Sequence, residues 1–211
     1  MEVIKFDGKF KSPTTIMVAA PTKAGKTTFV NKILDNRSQM FDIVPQKIVW
    51  CFSEAQPSYC LKYVQYIKGV PDMQTFKSDK THKLLIIDDL MSESKNLVDI
   101  FTKGCHHWNM TIIFILQDIF FDKKRTNRIN SQYIILMKSP GDKLTAMNLA
   151  KQMYPKKTDF FMDAYTKATE KPHGYLLIDL EQNTPECLRL RTNILPKEQT
   201  IVYTPKINKK E

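Results

Sequence analysis

A chain of 211 residues, 42% of them hydrophobic and 26% charged, has the ordinary composition of a globular protein. At that length roughly 70% of the unfolded surface can be buried, so no disulfide framework is needed, and the unpaired spacing of Cys51, Cys60, Cys105 and Cys187 predicts buried free thiols in a reducing compartment. The formal net charge of +10 favours an anionic partner such as nucleic acid, while the charged N-terminus and short apolar runs predict neither a secretory signal nor a membrane span.

Residues 1–13 read as a polar lead-in ending at Pro13. Residues 15–19, Thr-Ile-Met-Val-Ala, predict a strand, and Phe29, Val30, Ile33 and Leu34 have helical spacing. Asp35-Asn-Arg-Ser punctuates that helix. Residues 47–52 predict a second strand, rich in β-branched and aromatic side chains. Leu61, Tyr63, Val64 and Ile67 suggest a short helix closed by Gly69 and Pro71, and residues 73–76 a minor strand. The aliphatic run 84–87 suits a strand buried on both faces of a parallel sheet, and it ends in Asp88 and Asp89. Leu97, Phe101, Cys105 and Trp108 form a helical stripe, residues 111–116 a third buried strand ending at Gln117 and Asp118, and residues 133–137 a fourth. Ala146, Met147, Ala150, Met153 and Tyr154 mark one helix, and Phe161, Ala164, Tyr165 and Ala168 another. Residues 174–179 and 188–191 flank a polar turn and predict a hairpin, and from Pro196 the chain reads as a basic tail. This alternation predicts an α/β fold, a mostly parallel sheet flanked by helices with a C-terminal β-hairpin, with the main domain spanning 14–195.

The stretch Ala20-Pro21-Thr22-Lys23-Ala24-Gly25-Lys26-Thr27-Thr28 joins the first strand to the first helix. Unpaired N–H groups at a helix N-terminus hold anionic oxygens. Lys26 would reach the outer phosphates of a nucleotide, and the Thr27 hydroxyl a bound Mg²⁺. Asp88 would hold the metal and Asp89 would orient or deprotonate an attacking water. The strand predicted between Lys26 and Asp88 fits the additional-strand, catalytic-acid class of P-loop NTPases better than a nucleotide or nucleoside kinase, and the nucleotide is expected across neighbouring strands. Gln117, at the strand expected beside the acids, is placed to touch a γ-phosphate or the water. Residues 123–128 carry four basic side chains in six. They read as an arginine finger, Arg125 or else Arg128, or as a contact to DNA phosphates. Adjacent histidines on a helix point about 100° apart, so His106 and His107 read as a surface pair rather than metal ligands, and Trp50 and Trp108 as core.

The motifs APTKAGKTTFV, IVWCFSEAQP, LLIIDDLMSE, FTKGCHHWNMTIIFILQDIF, RTNRINSQYIILMKSPGD and MYPKKTDFFMDAYTKATEKPHGYLLIDL occur in order along residues 14–192. Together they resemble the genome-packaging ATPases of Polinton/Maverick-type elements and adintovirus-like DNA viruses, in the FtsK–HerA branch with the poxvirus-type packaging ATPases. The resemblance implies an ATP- and Mg²⁺-dependent motor that moves double-stranded DNA, regardless of sequence, into a preformed capsid. It also implies a homo-oligomeric ring, capsid or portal partners, and work at the intracellular site of virion assembly, nuclear or cytoplasmic, or in the virion. In that family Lys26 and Thr27 match the nucleotide residues, Asp88 and Asp89 the acidic pair, Gln117 the sensor glutamine and Arg125 the basic residue before the Asn130-containing strand. Ala20 departs from the usual first glycine, Asp118 from a frequent Asn, and Asp89 from the commoner Glu. A virion component that uses nucleotide only to assemble is a third reading beside motor and kinase.

Overall fold

A computed structural model describes residues 7–70, 72, 76, 80–90, 108–120 and 131–205. The strands are β1 (Thr15–Ala19), β2 (Lys47–Phe52), β3 (Gln65–Lys68), β4 (Lys83–Asp88), β5 (Met110–Leu116), β6 (Tyr133–Met137), β7 (Tyr175–Asp179), β8 (Leu190–Thr192) and β9 (Ile201–Tyr203). Among the described residues the α-helices are α1 (Lys26–Asp35), α2 (Arg37–Met40), α3 (Leu144–Met153) and α4 (Thr158–Ala168). The strands form one sheet in the order β3-β2-β4-β5-β1-β6-β7-β8-β9. From β3 through β6 all pairings are parallel; β7, β8 and β9 then join antiparallel.

Strands β1, β4, β5, β6 and β7 are buried at every residue, which is why they are near-continuous aliphatic runs. Successive side chains alternate between the two faces. Ile16, Val18, Ile86, Ile113 and Ile115 pack with Phe29, Val30, Ile33 and Leu34 of α1 on one side. Met17, Ala19, Leu85, Ile87, Ile112 and Phe114 pack with Leu149 of α3 and Phe161 and Tyr165 of α4 on the other. Each of the four buried side chains on α1 contributes about 1.5–3 kcal/mol by leaving water, so the N-terminus of α1 is held firmly against the sheet.

Strand β5 lies between β1 and β4. It pairs both, with Ala19 opposite Leu116 and Asp88 opposite Ile115. The phosphate loop and the acids are therefore not on neighbouring strands, as the sequence suggested, but two strands apart across β5. The strand that stands between the two is β5 and not residues 47–52, which the sequence put between Lys26 and Asp88 and which lie on the far side of β4 as β2; β5 brings Ala20, Gln117 and Asp89 out at the C-terminal end of the parallel strands.

Other elements differ from expectation. Residues 65–68 are a strand, not part of a helix: Val49 pairs with Gln65 and Trp50 with Tyr66. Four helically spaced residues are too few to nucleate a stable turn, while the open edge of β2 offers backbone partners. The lead-in is built into the core from Phe10, whose N–H donates to Met40 O at 2.8 Å and whose ring meets Tyr133 edge-on at 4.9 Å. The expected tail contributes β9, paired with β8. Cys51 is buried, its thiol pushed up to about 12 by burial, whereas Cys60 and Cys187 are exposed. Trp50 is fully buried and Trp108 packs at the edge of the core. The expected strand at 73–76, apart from the buried Phe76, the stripe from Leu97 to Cys105 with His106 and His107, and the basic loop 123–128 lie outside the described residues.

Candidate functional site

The loop between β1 and α1 turns on two residues in the left-handed region, Lys23 (φ 65°) and Gly25 (φ 94°). Ala20 is not among them. Its N–H extends the ladder to Leu116 O at 3.2 Å. A methyl group there costs nothing, which explains how the chain does without the usual glycine. The loop folds around its own lysine: Lys26 Nζ donates to the carbonyls of Ala20 at 2.6 Å and Pro21 at 3.0 Å. Gly25 caps α1 with no side-chain hydrogen bond, and the first turn holds no acidic residue. Its N–H groups and the positive end of the helix dipole are thus left for an anion.

Across β5 stand the acids. Asp88 is 4% exposed, and its Oδ2 accepts the Tyr59 hydroxyl at 2.7 Å. Burial pushes the Asp88 carboxyl above the usual carboxylate range; the Tyr59 hydrogen bond, the nearby Trp50 indole and the charge of Lys26 work in the opposite sense. The Trp50 N–H itself is buried and, among the described residues, meets no partner in hydrogen-bond geometry. Asp89 sits at φ 54°, just beyond β4, and its Oδ2 accepts from Gln117 Nε2 at 3.1 Å. Burial draws the Lys26 ammonium down from its ordinary value, while Asp88 and then Asp89 hold it up, so the three charges share one field.

A loop to which the sequence gave no site role completes the site. Residues 53–60 carry Gln56, whose Oε1 accepts the Thr27 hydroxyl at 3.3 Å, and Tyr59. The Tyr59 ring is held by Trp50, Phe52 and Tyr66 at centroid distances of 5.3, 5.1 and 5.3 Å. Asn31 of α1 donates to Ser58 O at 3.0 Å, tying this loop to the same helix. His173, just before β7, is the other addition: Nδ1 lies 2.9 Å from Ala24 O. The only sequence cue for these residues was that their loops adjoin strand ends on the ligand side of the sheet.

Lys26, Thr27, Asp88, Asp89, Gln117 and His173 all line one open cleft of about 460 Å³. The cleft also takes in Thr22, Lys23, Gly25 and Thr28, whereas Ala20 and Pro21 act through the carbonyls that hold Lys26. Arg125 and Arg128 fall outside the described residues. Thr27 and Asp88 offer a hydroxyl and a carboxylate, hard oxygen donors that suit Mg²⁺. Among the described residues no group of three or more His, Cys, Asp or Glu side chains could hold a metal. Two protein oxygens are enough where phosphates supply the rest.

No protein-family model matches the sequence, and no curated protein matches it. Solved structures do match the fold. It is similar to the genome packaging NTPase B204 from Sulfolobus turreted icosahedral virus 2 in complex with ATP-gammaS, with a TM-score of 0.53 and 13% identity over 91% of this chain and 97% of that one. The chain has a P-loop NTPase fold. The cytoplasmic domain of the Thermomonospora curvata Type VII secretion ATPase EccC is also similar, with a TM-score of 0.51 and 11% identity over 82% of this chain and 24% of that chain. The P-loop chain thus spans about a quarter of the EccC chain but nearly all of B204. At these identities the likeness is one of fold, and the functional case rests on the cleft itself.

Proposed function

We propose that this chain is a Mg²⁺-dependent ATPase of the FtsK–HerA type that drives double-stranded DNA into a viral capsid. One observation carries the ATPase reading: Lys26 at the start of α1, Asp88 and Asp89 at the end of β4 and Gln117 just past β5 converge on a single cleft. The γ-phosphate end of the nucleotide lies by the acids, within reach of Lys26 and the N–H groups of α1. Thr27 and Asp88 would hold Mg²⁺, which supplies charge neutralisation between the outer phosphates. Asp89 accepts a proton from the attacking water, and Gln117 orients Asp89 through the 3.1 Å hydrogen bond.

The extra strand between β1 and β4, and the second acid, favour hydrolysis over transfer to a small acceptor. The motor reading is supported by the match in fold and length to a packaging NTPase and by the net charge of +10, which suits a sequence-independent grip on phosphates. A homo-oligomeric ring, with Arg125 or Arg128 reaching a neighbour's site and with a capsid or portal protein as its dock, is part of the same proposal, as is work at the intracellular site of virion assembly. Among the described residues no helix is long and apolar enough to cross a membrane.

The test is phosphate release from ATP with and without duplex DNA. Hydrolysis that duplex DNA stimulates, less so as salt rises, is expected. Phosphoryl transfer to a nucleoside or nucleotide would replace the reading with a kinase. Normal packaging by both Lys26→Ala and Asp89→Asn would sink the motor and leave an assembly component.

A further inference from the structure

The Trp50 side chain is fully buried, yet its indole N–H meets no partner in hydrogen-bond geometry among the described residues. A buried donor left unmade is costly, so one kept beside the phosphate cleft calls for a physical account.

Its surroundings point to Asp88. In the β2–β4 ladder Trp50 pairs with Ile86 and Phe52 with Asp88. Paired residues share a face of the sheet and alternate residues return to it. Trp50 and Asp88 are therefore diagonal neighbours on one face, within reach of a long aromatic side chain. Tyr59 closes over both: its ring centroid is 5.3 Å from that of Trp50, and its hydroxyl donates to Asp88 Oδ2 at 2.7 Å. The field agrees with the geometry. Burial raises the Asp88 carboxyl, and the Tyr59 hydroxyl and then the Trp50 indole oppose it, so the indole turns the positive end of its N–H dipole on the carboxylate.

We infer that the Trp50 indole N–H is a second positioning donor for Asp88, which closes on the carboxylate when Mg²⁺ and nucleotide occupy the cleft and makes the site select Mg²⁺ over Ca²⁺. This rests on the nucleotide reading above. The selectivity follows from how a carboxylate can be used. Ca²⁺ accepts both oxygens of one carboxylate in a flexible shell, whereas Mg²⁺ demands a tight octahedron and keeps several waters. Tyr59 already occupies Oδ2. One hydrogen bond leaves the carboxyl group free to turn about it. A second donor fixes its plane, so that it cannot swing both oxygens toward one ion. What remains suits a single-oxygen contact, direct or through a water.

The experiment uses the full chain with ATPγS as a slowly hydrolysed nucleotide. Proton–nitrogen NMR reads the indole N–H directly; Trp50 and Trp108 are the two indoles, and Trp108→Phe serves to assign them. The Trp50 resonance should move downfield when MgCl₂ is added to the ATPγS-loaded chain. A second measurement replaces Trp50 by benzothienylalanine, in which sulfur stands for the N–H and the ring keeps its shape, where Trp50→Phe would leave a void. Calorimetric titration of that loaded chain with MgCl₂ or CaCl₂ should show Mg²⁺ binding about tenfold more weakly, the scale of one hydrogen bond to a charged group, with Ca²⁺ binding as before. A Trp50 resonance that ignores Mg²⁺, or a benzothienyl chain in which the two metals weaken alike or not at all, overturns the positioning role and leaves the nucleotide site standing. ATPγS that fails to bind the unaltered chain, with or without Mg²⁺, overturns the nucleotide reading itself.

Discussion

The Tyr59 hydroxyl donates to Asp88 Oδ2 at 2.7 Å. Burial and the bond to Asp88 both raise the phenol's pKa, so it remains a donor at any working pH. One carboxylate oxygen is occupied by Tyr59 and the other left for a metal ion or its water. Tyr59 is thus a positioning residue for Asp88. A hydrogen bond to a charged group is worth roughly 1.5–3 kcal/mol, so Tyr59→Phe should raise the Mg²⁺ needed for half-maximal hydrolysis by about tenfold. The phenyl ring keeps its place against Trp50, Phe52 and Tyr66, so Trp50 fluorescence should not shift. An unchanged Mg²⁺ dependence would remove Tyr59 from the site, and a shifted Trp50 emission would reduce it to a packing residue.

Asp89 is the proposed base, and its backbone decides how to test it. At φ 54° most side chains are strained, but Asn is among the residues that tolerate this region. Asp89→Asn removes the basic oxygen, keeps the conformation, and leaves a carbonyl for Gln117 Nε2. Turnover should fall by about a hundredfold or more, the usual worth of a general base, with ATP binding little changed in a filter or calorimetric assay. Turnover that survives would pass the base role to another group. A loss of binding instead would make Asp89 a structural residue.

Much of this site was legible because its parts are local. Residues 15–30 contain a strand, a loop and a helix in unbroken sequence, and the acids follow an aliphatic run that had to be a buried strand. Gln117 could be placed because its strand ends in the same way. What stayed hidden is contact across long separations: Tyr59 meets Asp88, and Gln56 meets Thr27, each across 29 positions. No periodicity records such a pairing. The class was inferred from the strand at 47–52, whereas the strand that separates β1 from β4 is β5; strand order is a property of the sheet and not of spacing. Three residues, Ile201–Tyr203, made a strand inside an otherwise polar segment because β8 offered an edge. The tolerance of Ala20 was also invisible, since only its place outside the left-handed region shows that the glycine is dispensable there.

Asp88, the proposed metal-site acid, should cost the free protein stability. Burial raises the folded-state pKa of Asp88 above its unfolded value. Between those two values the folded chain binds more protons than the unfolded chain, so stability falls as pH rises through that window and the full penalty persists above it. Asp88→Asn cannot ionise, and its carbonyl can still accept from Tyr59. Without nucleotide or metal, the variant should melt above the wild type at pH 8. The gap should close toward pH 4, near the unfolded aspartate pKa of about 3.9. For a chain of this size about 1 kcal/mol corresponds to roughly 2–4 °C in Tm. A gap that does not change with pH would mean that the Asp88 charge is not what burial penalises.

The two ends of the phosphate loop should respond to glycine in opposite ways. Gly25 sits at φ 94°, and a Cβ there would come within 3.0 Å of His173 Nδ1. That ring also holds Ala24 O, so it cannot move aside without loosening the loop. Gly25→Ala combines a backbone strain of about 1–2 kcal/mol with the displaced histidine. Its Tm should fall and nucleotide affinity should drop with it. Ala20 is the reverse case: it is not among the positive-φ residues, its N–H is bonded to Leu116 O, and nothing in its conformation calls for glycine. Ala20→Gly restores the common motif yet adds freedom to the unfolded chain, so it should destabilise by about 0.5–1 kcal/mol and leave nucleotide affinity unchanged. Thermal melts and ATP titrations of both variants decide the matter. Tighter ATP binding by Ala20→Gly, or an indifferent Gly25→Ala, would mean that the loop bends at Ala20 when loaded, and that the pivot lies at its first residue rather than its sixth.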